Sequence, residues 1–520
     1  MIAAPALVRS LRRGSSQTAV LVMLGSVVVL LAMFALLAWP TKQPGVPVGN
    51  HANIPLLVHV AASNKSVVQK LADQFTRETG VPVQLQFGAS QTLLAGIEVS
   101  QTGDIFLPAD ESYLTQAAEK GFTREVFPLA KMTAVVVVAK DNPRNVKSFD
   151  ELLREDCRLV QGSIEATAIG KLTERALAAE NRWEPLAKRT IAFKTTVNDA
   201  ANDVKIGAAD AAIVWDAVAK QYPDLTAIEL PELKPIQATV AAAVLSTSAQ
   251  PTAALRFARY LAASDRGLAE YQQAGFSTVT GDPWEAVPEI VLFAGSMLRP
   301  AIETTITEFE QREGVRVIRN YNGCGILVGM MQTGNIPDAY FACDQEFMSQ
   351  VKDKFPNAAE LATNQLVILV QKGNPHKIAK LEDLTKSGLK VGIGHEKQCA
   401  MGWLTQRTLE QGGLKTEVMA NVTVQSPTGD LLVNQMRTGS LDAAVAYLSN
   451  AAGAGEFLEA IRIEGLPCAT AVQPFGIAEQ TTHRQTVARL RDAIRAPRSQ
   501  ERFRQEGFQW KGTADGETQP

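Results

Sequence analysis

The strongest constraint on the fold is an internal duplication. Six short motifs from the first half of the chain recur in the same order in the second half, displaced by 232 to 234 residues. "GDIFLPAD" (103–110) returns as "PDAYFACD" (337–344), and "GAADAAIVW" (207–215) returns as "GSLDAAVAY" (439–447). A unit of about 225 residues is far longer than the repeats of solenoid proteins. The pattern therefore predicts a whole domain present twice in tandem.

Within each unit, short runs rich in β-branched residues alternate with helical stretches. In the first unit, "AVVVVA" (134–139) is a strand-like run and "SVVQKLADQFTRETG" (66–80) has helical spacing. This alternation indicates βαβ units around a mostly parallel sheet, which is an α/β fold. Ligands of such sheets bind beyond the carboxyl ends of the strands, next to helix N-termini. The residues directly after each strand are therefore the candidate site.

Composition disfavours several classes of protein. The 520 residues carry 51 basic and 54 acidic side chains without a basic stripe, so no nucleic-acid partner is expected. The five cysteines and five histidines show no CxxC or HExxH spacing, and they are too few for a disulfide scaffold. No Ser–His pair and no pair of carboxylates recurs at the strand ends. The chain is therefore expected to be a binding protein without a cofactor, and not an enzyme.

The N-terminal region predicts a membrane anchor. Residues 18–39 carry no charge, and about 20 apolar residues are enough to span a bilayer. Three arginines precede this stretch, which by the positive-inside rule leaves residues 1–17 in the cytoplasm. A cleaved signal peptide is the alternative, although its apolar segment is normally shorter. A linker at 40–53, rich in Pro and Gly, would place both units in the periplasm or outside, tethered to the inner (cytoplasmic) membrane.

Small and hydroxylic residues follow the predicted strands of the first unit. Ser63 ends "AAS" and Ser90 ends "GAS", while no Lys, Arg or His recurs at such positions. Hydroxyls and unpaired N–H groups at helix starts can hold an anion without a countercharge. The alternative is that both serines are ordinary N-caps, a position that serine favours. Their joint placement, repeated in two units, favours an anion site.

The order of "VHVAAS", "QFGASQTLLAG" and "GDIFLPAD" resembles the opening of periplasmic molybdate-binding proteins, the solute-binding components of ABC importers. The resemblance covers nearly all of residues 56–276 and, more loosely, residues 289–508. It implies two tandem domains like type II periplasmic binding proteins, each with two lobes and a hinge, behind one transmembrane helix. The implied boundaries are 54–280 for the first domain, 281–288 for a linker, 289–510 for the second domain and 511–520 for a tail.

The resemblance also implies that hydroxyls and backbone amides hold a tetrahedral oxyanion. In the first unit, the implied ligand-binding positions are Ser63, Ser90, Thr167 or Ala168, Val197 and Trp215. Trp215 stands where the family often has a tyrosine, and its indole can donate one N–H. In the second unit, Ser296 (in "AGS"), Thr428 and Tyr447 keep the hydroxyl character. Selectivity among molybdate, tungstate and sulfate stays open.

Three of the five cysteines fall at presumed cleft positions of the second unit. They are Cys324 in place of Ser90, Cys343 in place of Ala109 and Cys399 in place of Thr167. One interpretation makes them small buried fillers. A second is a disulfide of Cys324 with Cys399 or Cys343. A third is a soft-ligand site, in which Cys324 and Cys399 bind the ligand, or all three bind a thiophilic metal, as thiolates of lowered pKa.

The leading hypothesis is a membrane-anchored solute-binding protein that captures a molybdate- or tungstate-like oxyanion by hinge closure for an ABC permease. In this hypothesis the second domain has diverged, with a thiol-based ligand site as one option. An envelope sensor or scaffold built on the same fold is the alternative. A thiol-based metal or redox module in the second unit is a third hypothesis.

Overall fold

The structure, a computed structural model, describes residues 54–511. The predicted cytoplasmic N-terminus (1–17), anchor (18–39) and linker (40–53) lie outside these residues, and so do residues 512–520 of the predicted tail. Among the helices within 54–511, none is long and apolar enough to cross a membrane.

The first domain alternates strands and helices. Its strands are β1 (Leu56–Ala61), β2 (Val83–Gly88), β3 (Ile105–Leu107), β4 (Thr123–Ala139), β5 (Leu159–Gly162), β6 (Thr190–Lys194), β7 (Ala211–Trp215), β8 (Leu225–Ile228), β9 (Gln237–Leu245) and β10 (Ser277–Thr278). Its α-helices are α1 (Lys65–Thr79), α2 (Ser90–Ser100), α3 (Ser112–Glu119), α4 (Phe149–Leu152), α5 (Ala168–Ala179), α6 (Trp183–Arg189), α7 (Val197–Lys205), α8 (Asp216–Ala219), α9 (Pro251–Leu261) and α10 (Gly267–Gln273). A 3₁₀ turn at Ala62–Asn64 follows β1.

The second domain repeats this order. Its strands are β11 (Glu289–Gly295), β12 (Arg316–Asn322), β13 (Ala339–Phe341), β14 (Ala359–Gln371), β15 (Val391–Gly394), β16 (Val422–Ser426), β17 (Ala443–Tyr447), β18 (Leu458–Arg462), β19 (Thr470–Ile477) and β20 (Gln509–Trp510). Its α-helices are α11 (Arg299–Glu313), α12 (Cys324–Gln332), α13 (Gln345–Ser349), α14 (Ala400–Gln411), α15 (Lys415–Ala420), α16 (Gly429–Arg437), α17 (Leu448–Ala452), α18 (Arg484–Arg495) and α19 (Pro497–Gln505). The 3₁₀ turns lie at Ser296–Leu298, Leu381–Thr385 and Pro467–Ala469.

One long strand joins the two lobes of each domain. The sheet order is β2-β1-β3-β9-β4-β7-β5-β6 in the first domain and β12-β11-β13-β19-β14-β17-β15-β16 in the second. Residues 123–133 of β4 pair with β9 in the first lobe, and residues 134–139 pair with β7 and β8 in the second lobe. Strand β14 crosses between the lobes of the second domain in the same way. Each domain is thus two lobes on a shared strand, as the sequence predicted.

The pairing is parallel around β1 and β5 but antiparallel at β4 and β9. The expectation of a mostly parallel sheet therefore holds only for the βαβ part of each lobe. Strands β4 and β9 run antiparallel because the chain leaves the first lobe on one and returns to it on the other. This crossing is what places the carboxyl ends of the parallel strands of both lobes around one cleft.

The first helix shows how the sequence fixes these elements. In α1 the buried residues Val68, Leu71 and Phe75 recur at helical spacing and form one apolar face. Gly80 then adopts φ of 74° and ends the helix, a left-handed conformation that glycine adopts without strain. The strand core is continuous with this face, since β1 is almost wholly buried.

The two domains are joined through their first lobes. Glu313, the last residue of α11, accepts a hydrogen bond at 2.8 Å from Arg489 Nε in its own domain, and Arg259 of the first domain donates to its backbone oxygen. The Glu313 side chain is 2% exposed. Asp282 of the linker accepts hydrogen bonds of 2.9 Å from the N–H groups of Gln485 and Thr486 at the start of α18. The predicted linker is thus fixed to the second domain by the cap that it supplies.

Candidate functional site

The first cavity lies between the two lobes of the first domain. The first lobe lines it with Ala61, Ala62, Ser63, Gly88, Ala89, Ser90 and Ala109. The second lobe lines it with Thr167, Ala168, Ile169, Thr196, Val197 and Trp215. Every ligand-binding residue predicted for the first unit is therefore brought to this cavity. Ser63, Ser90 and Trp215 are at most 2% exposed, so the lobes are closed over them.

Helix N-termini point at the first cavity because each helix begins just after a strand. Helices α2, α5 and α7 start at Ser90, Ala168 and Val197, and all three starts line the cavity. The first N–H groups of a helix have no carbonyl partner within the helix, and the helix dipole adds partial positive charge there. These N–H groups come from both lobes, so closure surrounds a ligand with donors.

Two hydroxyls of the first lobe can donate to a ligand. Ser90 Oγ accepts a hydrogen bond of 3.0 Å from the N–H of Ala109, and Ser63 Oγ accepts one of 3.3 Å from Asn64 Nδ2. Among the described residues, neither serine has an acceptor for its own hydroxyl proton. The N-cap interpretation is wrong for both serines, because Ala61 and Ala89 occupy the N-cap positions there.

Thr167 is placed as predicted, but its hydroxyl is already used. Thr167 Oγ1 donates to Ser163 O at 2.8 Å and accepts from Gly170 N at 3.0 Å, which makes it the N-cap of α5. Of the pair Thr167 or Ala168, the available donor is therefore the N–H of Ala168. Thr196 also lines the cavity and caps α7. Thr196 was not among the ligand-binding residues predicted from the sequence, although it lies next to Val197.

The first cavity is neutral. None of its lining residues among those described is charged. A bound anion would therefore be stabilised by hydrogen-bond donors and helix dipoles without a countercharge.

The second cavity lies at the equivalent place in the second domain. Its first-lobe lining is Ser296, Met297, Asn322, Gly323 and Cys343. Its second-lobe lining is Cys399, Ala400, Met401, Pro427, Thr428, Gly429, Tyr447 and Asn450. The predicted residues Ser296, Cys399, Thr428 and Tyr447 thus line it. Cys324 is fully buried next to Cys343 and is not part of the lining set.

The strand register corrects one correspondence between the domains. Val58 pairs with Ile105 in the first domain, and Leu292 pairs with Ala339 in the second. Continuing along β1 and β11, Ser296 matches Ala62, and Ser63 is matched by Met297. The second cavity therefore keeps a serine, but one residue earlier along the chain, and a thioether stands at the position of Ser63.

The three cysteines at the second cavity do not form a thiolate cluster. Cys324 and Cys343 form a disulfide with a Cα–Cα distance of 6.4 Å, which is the second of the three interpretations. Burial raises the pKa of the remaining Cys399 thiol to about 11, against the lowered pKa expected for a metal ligand. Within residues 54–511, no group of three or more His, Cys, Asp or Glu side chains is arranged to hold a metal ion.

Tyr447 and Asn450 are two of the polar side chains that distinguish the lining of the second cavity, together with Ser296 and Asn322. Tyr447 is 2% exposed and its hydroxyl has no hydrogen-bond partner among the described residues; burial raises its pKa well above the ordinary value. Asn450 accepts from the N–H of Tyr447 at 3.2 Å. Asn450, which stands where the first domain has Val218, was not predicted as a site residue, because an Asn after a strand is most often a turn residue.

The lobes approach more closely in the second domain. The N–H of Gly325 donates to Gln398 O across the cleft at 3.0 Å, whereas the matched Gln91 N–H lies 3.5 Å from Ala166 O. A Cβ added at Gly323 would lie 2.5 Å from Gln398 O, and one at Gly325 would overlap Lys397 O. The glycines on both sides of Cys324 thus allow backbone-to-backbone contact between lobes.

With this geometry, two stretches of the chain match one family model. Residues 56–277 and 290–509 each match the model described as bacterial extracellular solute-binding protein. The chain belongs to this family. It carries the family's domain twice, which confirms the prediction of a tandem.

Relatives of this solute-binding protein match single domains of it. A putative binding protein of Haemophilus influenzae is 23% identical over 224 residues, which are 42% of this chain and 90% of the relative. The molybdate-binding protein ModA of Mycobacterium tuberculosis is 29% identical over 244 residues, 46% of this chain and 89% of the relative. A solved periplasmic molybdate-binding protein of Azotobacter vinelandii is 20% identical with a TM-score of 0.38, covering 42% of this chain and 98% of that chain. The curated relatives are binding proteins, which agrees with the prediction of capture over catalysis.

Proposed function

We propose that the first domain captures a tetrahedral oxyanion of the molybdate type and presents it to an ABC importer. The observation that carries this proposal is the closed, neutral first cavity, in which two serine hydroxyl protons and the N-termini of α2, α5 and α7 converge from both lobes. Such a site offers only donors to the ligand. An oxyanion, which has acceptors on every side, fits it best.

The donor set also predicts selectivity among oxyanions. No carboxylate lines the first cavity among the described residues, so the site has no strong acceptor for the proton that phosphate carries near neutral pH. Molybdate, tungstate and sulfate carry no such proton. We expect these three to bind and phosphate to bind poorly, since an unpaired buried donor costs about 1–3 kcal/mol.

The hinge supports a capture mechanism. Strand β4 runs through both lobes, and the lining residues divide between them. A ligand that contacts both lobes shifts the open–closed equilibrium to the closed form, because only that form makes the second set of contacts. The permease would then distinguish loaded from empty protein by shape.

The location follows from the same proposal. The family is extracellular by its description, and ligand capture for an importer takes place outside the inner membrane. The apolar stretch at 18–39 would serve as the anchor that keeps both domains near the permease. Cleavage of this stretch in the mature protein would contradict the anchor without affecting capture.

Isothermal titration of the full chain tests the proposal. Molybdate, tungstate and sulfate should release or absorb heat and raise the melting temperature, whereas phosphate should not. Ser90→Ala should weaken binding about 10- to 100-fold, because a hydrogen bond to a charged group contributes about 1.5–3 kcal/mol. Ser100→Ala, at the exposed end of the same helix, is the matched control and should leave affinity unchanged. No binding of any of these anions would refute the proposed function.

A further inference from the structure

The Cys324–Cys343 disulfide lies in the wall of the second cavity. Cys343 is a lining residue, and Cys324 is bonded to it from the fully buried start of α12. The N–H of Cys343 lies 3.0 Å from Cys324 Sγ. In the first domain, the N–H of Ala109 lies 3.0 Å from Ser90 Oγ. The sulfur of Cys324 thus holds the place of the serine oxygen.

A third substitution accompanies the two cysteines. The residue that matches Ala61 in the second domain is Gly295, and a Cβ there would overlap Cys343 Sγ. The first domain has three small residues without thiols at these places, and the second has a glycine that makes room for a disulfide. The three changes fit one another, so the disulfide is an adapted part of this cleft and not an accidental contact.

The disulfide changes what the cleft can donate. Ser90 uses its oxygen as an acceptor and keeps its proton for a ligand. A disulfide sulfur carries no proton, so the matched place in the oxidised second cleft offers no donor. Reduction would give Cys343, which lines the cavity, a thiol S–H, which is a weak donor.

We propose that the second cleft is a redox-sensitive oxyanion site, which binds its ligand more tightly in the dithiol state than when Cys324 and Cys343 are joined. This inference rests on the proposed function, because it assigns to the second cleft the same ligand class as the first. Ser296, Thr428 and Tyr447 supply the remaining hydroxyls of the site. The oxidised second domain then binds the ligand more weakly than the reduced one.

The switching step is a thiol–disulfide exchange with a dithiol reductant. The two sulfurs of the reductant become a disulfide, the Cys324–Cys343 bond breaks, and each cysteine sulfur takes one proton, so two electrons are transferred. Cys324 and Cys343 are 0% and 5% exposed in the closed cleft. The reductant must therefore reach them in the open form, and so must the disulfide oxidant that re-forms the bond by the reverse exchange, so a ligand that closes the cleft should slow reoxidation.

The test uses the full chain with Ser63→Ala and Ser90→Ala, which remove the two hydroxyl donors of the first cleft and so weaken its binding. One sample is kept oxidised, and the other is reduced with dithiothreitol and desalted under anaerobic conditions before titration with molybdate. Thiols counted after denaturation should number three in the oxidised sample, for Cys157, Cys399 and Cys468, and five in the reduced one. Affinity should be roughly tenfold tighter after reduction.

A second variant keeps the inference falsifiable if the reduced protein is labile. Cys324→Ser with Cys343→Ala gives the second cleft the residues of the first at these two places. This variant should bind molybdate regardless of reductant. Equal affinity of the two redox states, or five thiols in the sample kept oxidised, would overturn the inference. A second cleft that stays silent in both states, beside a first cleft that binds, would overturn it and leave the proposed function intact; silence of both clefts would refute both.

Discussion

The two clefts of this chain share a frame and differ in lining. The strand orders of the two sheets are the same, and helices begin at matched residues around both cavities. Of the lining positions, the second-lobe residues Ala168 and Thr196 are kept as Ala400 and Thr428. Most other positions have changed. The backbone frame is thus fixed by sheet pairing and the core, while the side chains that face a small cavity are free to change the ligand.

The residues that differ between the two clefts changed in sets whose members pack against one another. The disulfide group Gly295, Cys324 and Cys343 is one example. A second is the pair Gly429 and Asn450, because a Cβ at Gly429 would overlap the amide of Asn450. The first domain has Val197 and Val218 at these positions. These matched changes keep the second cleft closely packed although most of its lining side chains differ from those of the first.

The largest expected effect is on the contact between the two domains. Glu313 lies between Arg259 and Arg489 at the domain interface, and burial lowers the pKa of Arg259 to about 10. Glu313→Gln leaves two buried guanidinium groups without their carboxylate, and should destabilise the chain by about 3–5 kcal/mol. Urea denaturation of the full chain measures this free energy.

The matched control for this prediction is Glu289→Gln, whose ion pair with Arg316 is about half exposed. It should cost less than about 1 kcal/mol. If the two variants were equally stable, the domains would not depend on their interface, and the clefts would have to be treated as independent proteins.

The reverse experiment introduces the disulfide group of the second cleft into the first cleft. Ala61→Gly, Ser90→Cys and Ala109→Cys together give the first cleft the residues of the second. In the oxidised state, affinity for molybdate should fall about 10- to 100-fold, because a donor to the anion is lost. Reduction should recover part of the loss, as titration before and after anaerobic reduction would measure.

The same cysteines with Ala61 retained should oxidise less completely, since the methyl group occupies the sulfur's place. Full affinity in the oxidised triple variant would contradict the role assigned to the disulfide.

Closure of the second cleft depends on Gly325, whereas the first cleft already has a side chain, Gln91, at that place. Gly325→Ala would introduce a methyl group that overlaps Lys397 O, and such overpacking costs about 1–3 kcal/mol. Ligand affinity of the reduced second cleft should fall by roughly 10-fold or more, as measured by titration. The melting temperature without ligand should hold or rise, because alanine favours the helix. Gln91→Ala is the control and should leave the affinity of the first cleft unchanged. An equal loss of affinity there would mean that the two clefts do not differ in how closely their lobes must approach.

The smallest effect concerns the helix cap that differs between the domains. Thr167 caps α5 through its hydroxyl, while Cys399 makes no such side-chain hydrogen bond at the start of α14. Thr167→Cys should therefore destabilise the chain by about 1 kcal/mol, and Cys399→Thr should stabilise it by a similar amount. Thermal unfolding of the two variants beside the unmodified chain measures both. Changes of opposite sign would mean that the packing of the side chain, and not its capping hydrogen bond, determines stability at this position.

The order of strands and helices in each domain could be predicted from the sequence because it follows from local patterns. Strand and helix alternation, and residues placed directly after strands, led to both cavities and to lining residues such as Ser63, Ser90 and Tyr447. Neither Thr196 nor Asn450 was identified, because their part in the cavity depends on which way a side chain turns at a helix start. Thr167 was assigned a ligand role that its capping bonds exclude.

Three features required three-dimensional information. "AAS" and "AGS" align equally well by eye, and only the register of β11 against β13 shows that Ser296 matches Ala62. The pairing of Cys324 with Cys343, and not with Cys399, depends on the distance between two segments of the first lobe. The contact of Glu313 with Arg259 joins two domains, and no local pattern signals such a pair.

The most direct measurement is a crystal structure of the oxidised chain soaked or grown with molybdate, with data collected at the molybdenum absorption edge. The account predicts one strong anomalous peak in the first cavity, within hydrogen-bond distance of Ser63 Oγ, Ser90 Oγ and the N–H of Ala168, and a weaker peak or none beside the Cys324–Cys343 disulfide. An empty first cavity at saturating molybdate, or a peak that avoids these donors, would contradict the central claim.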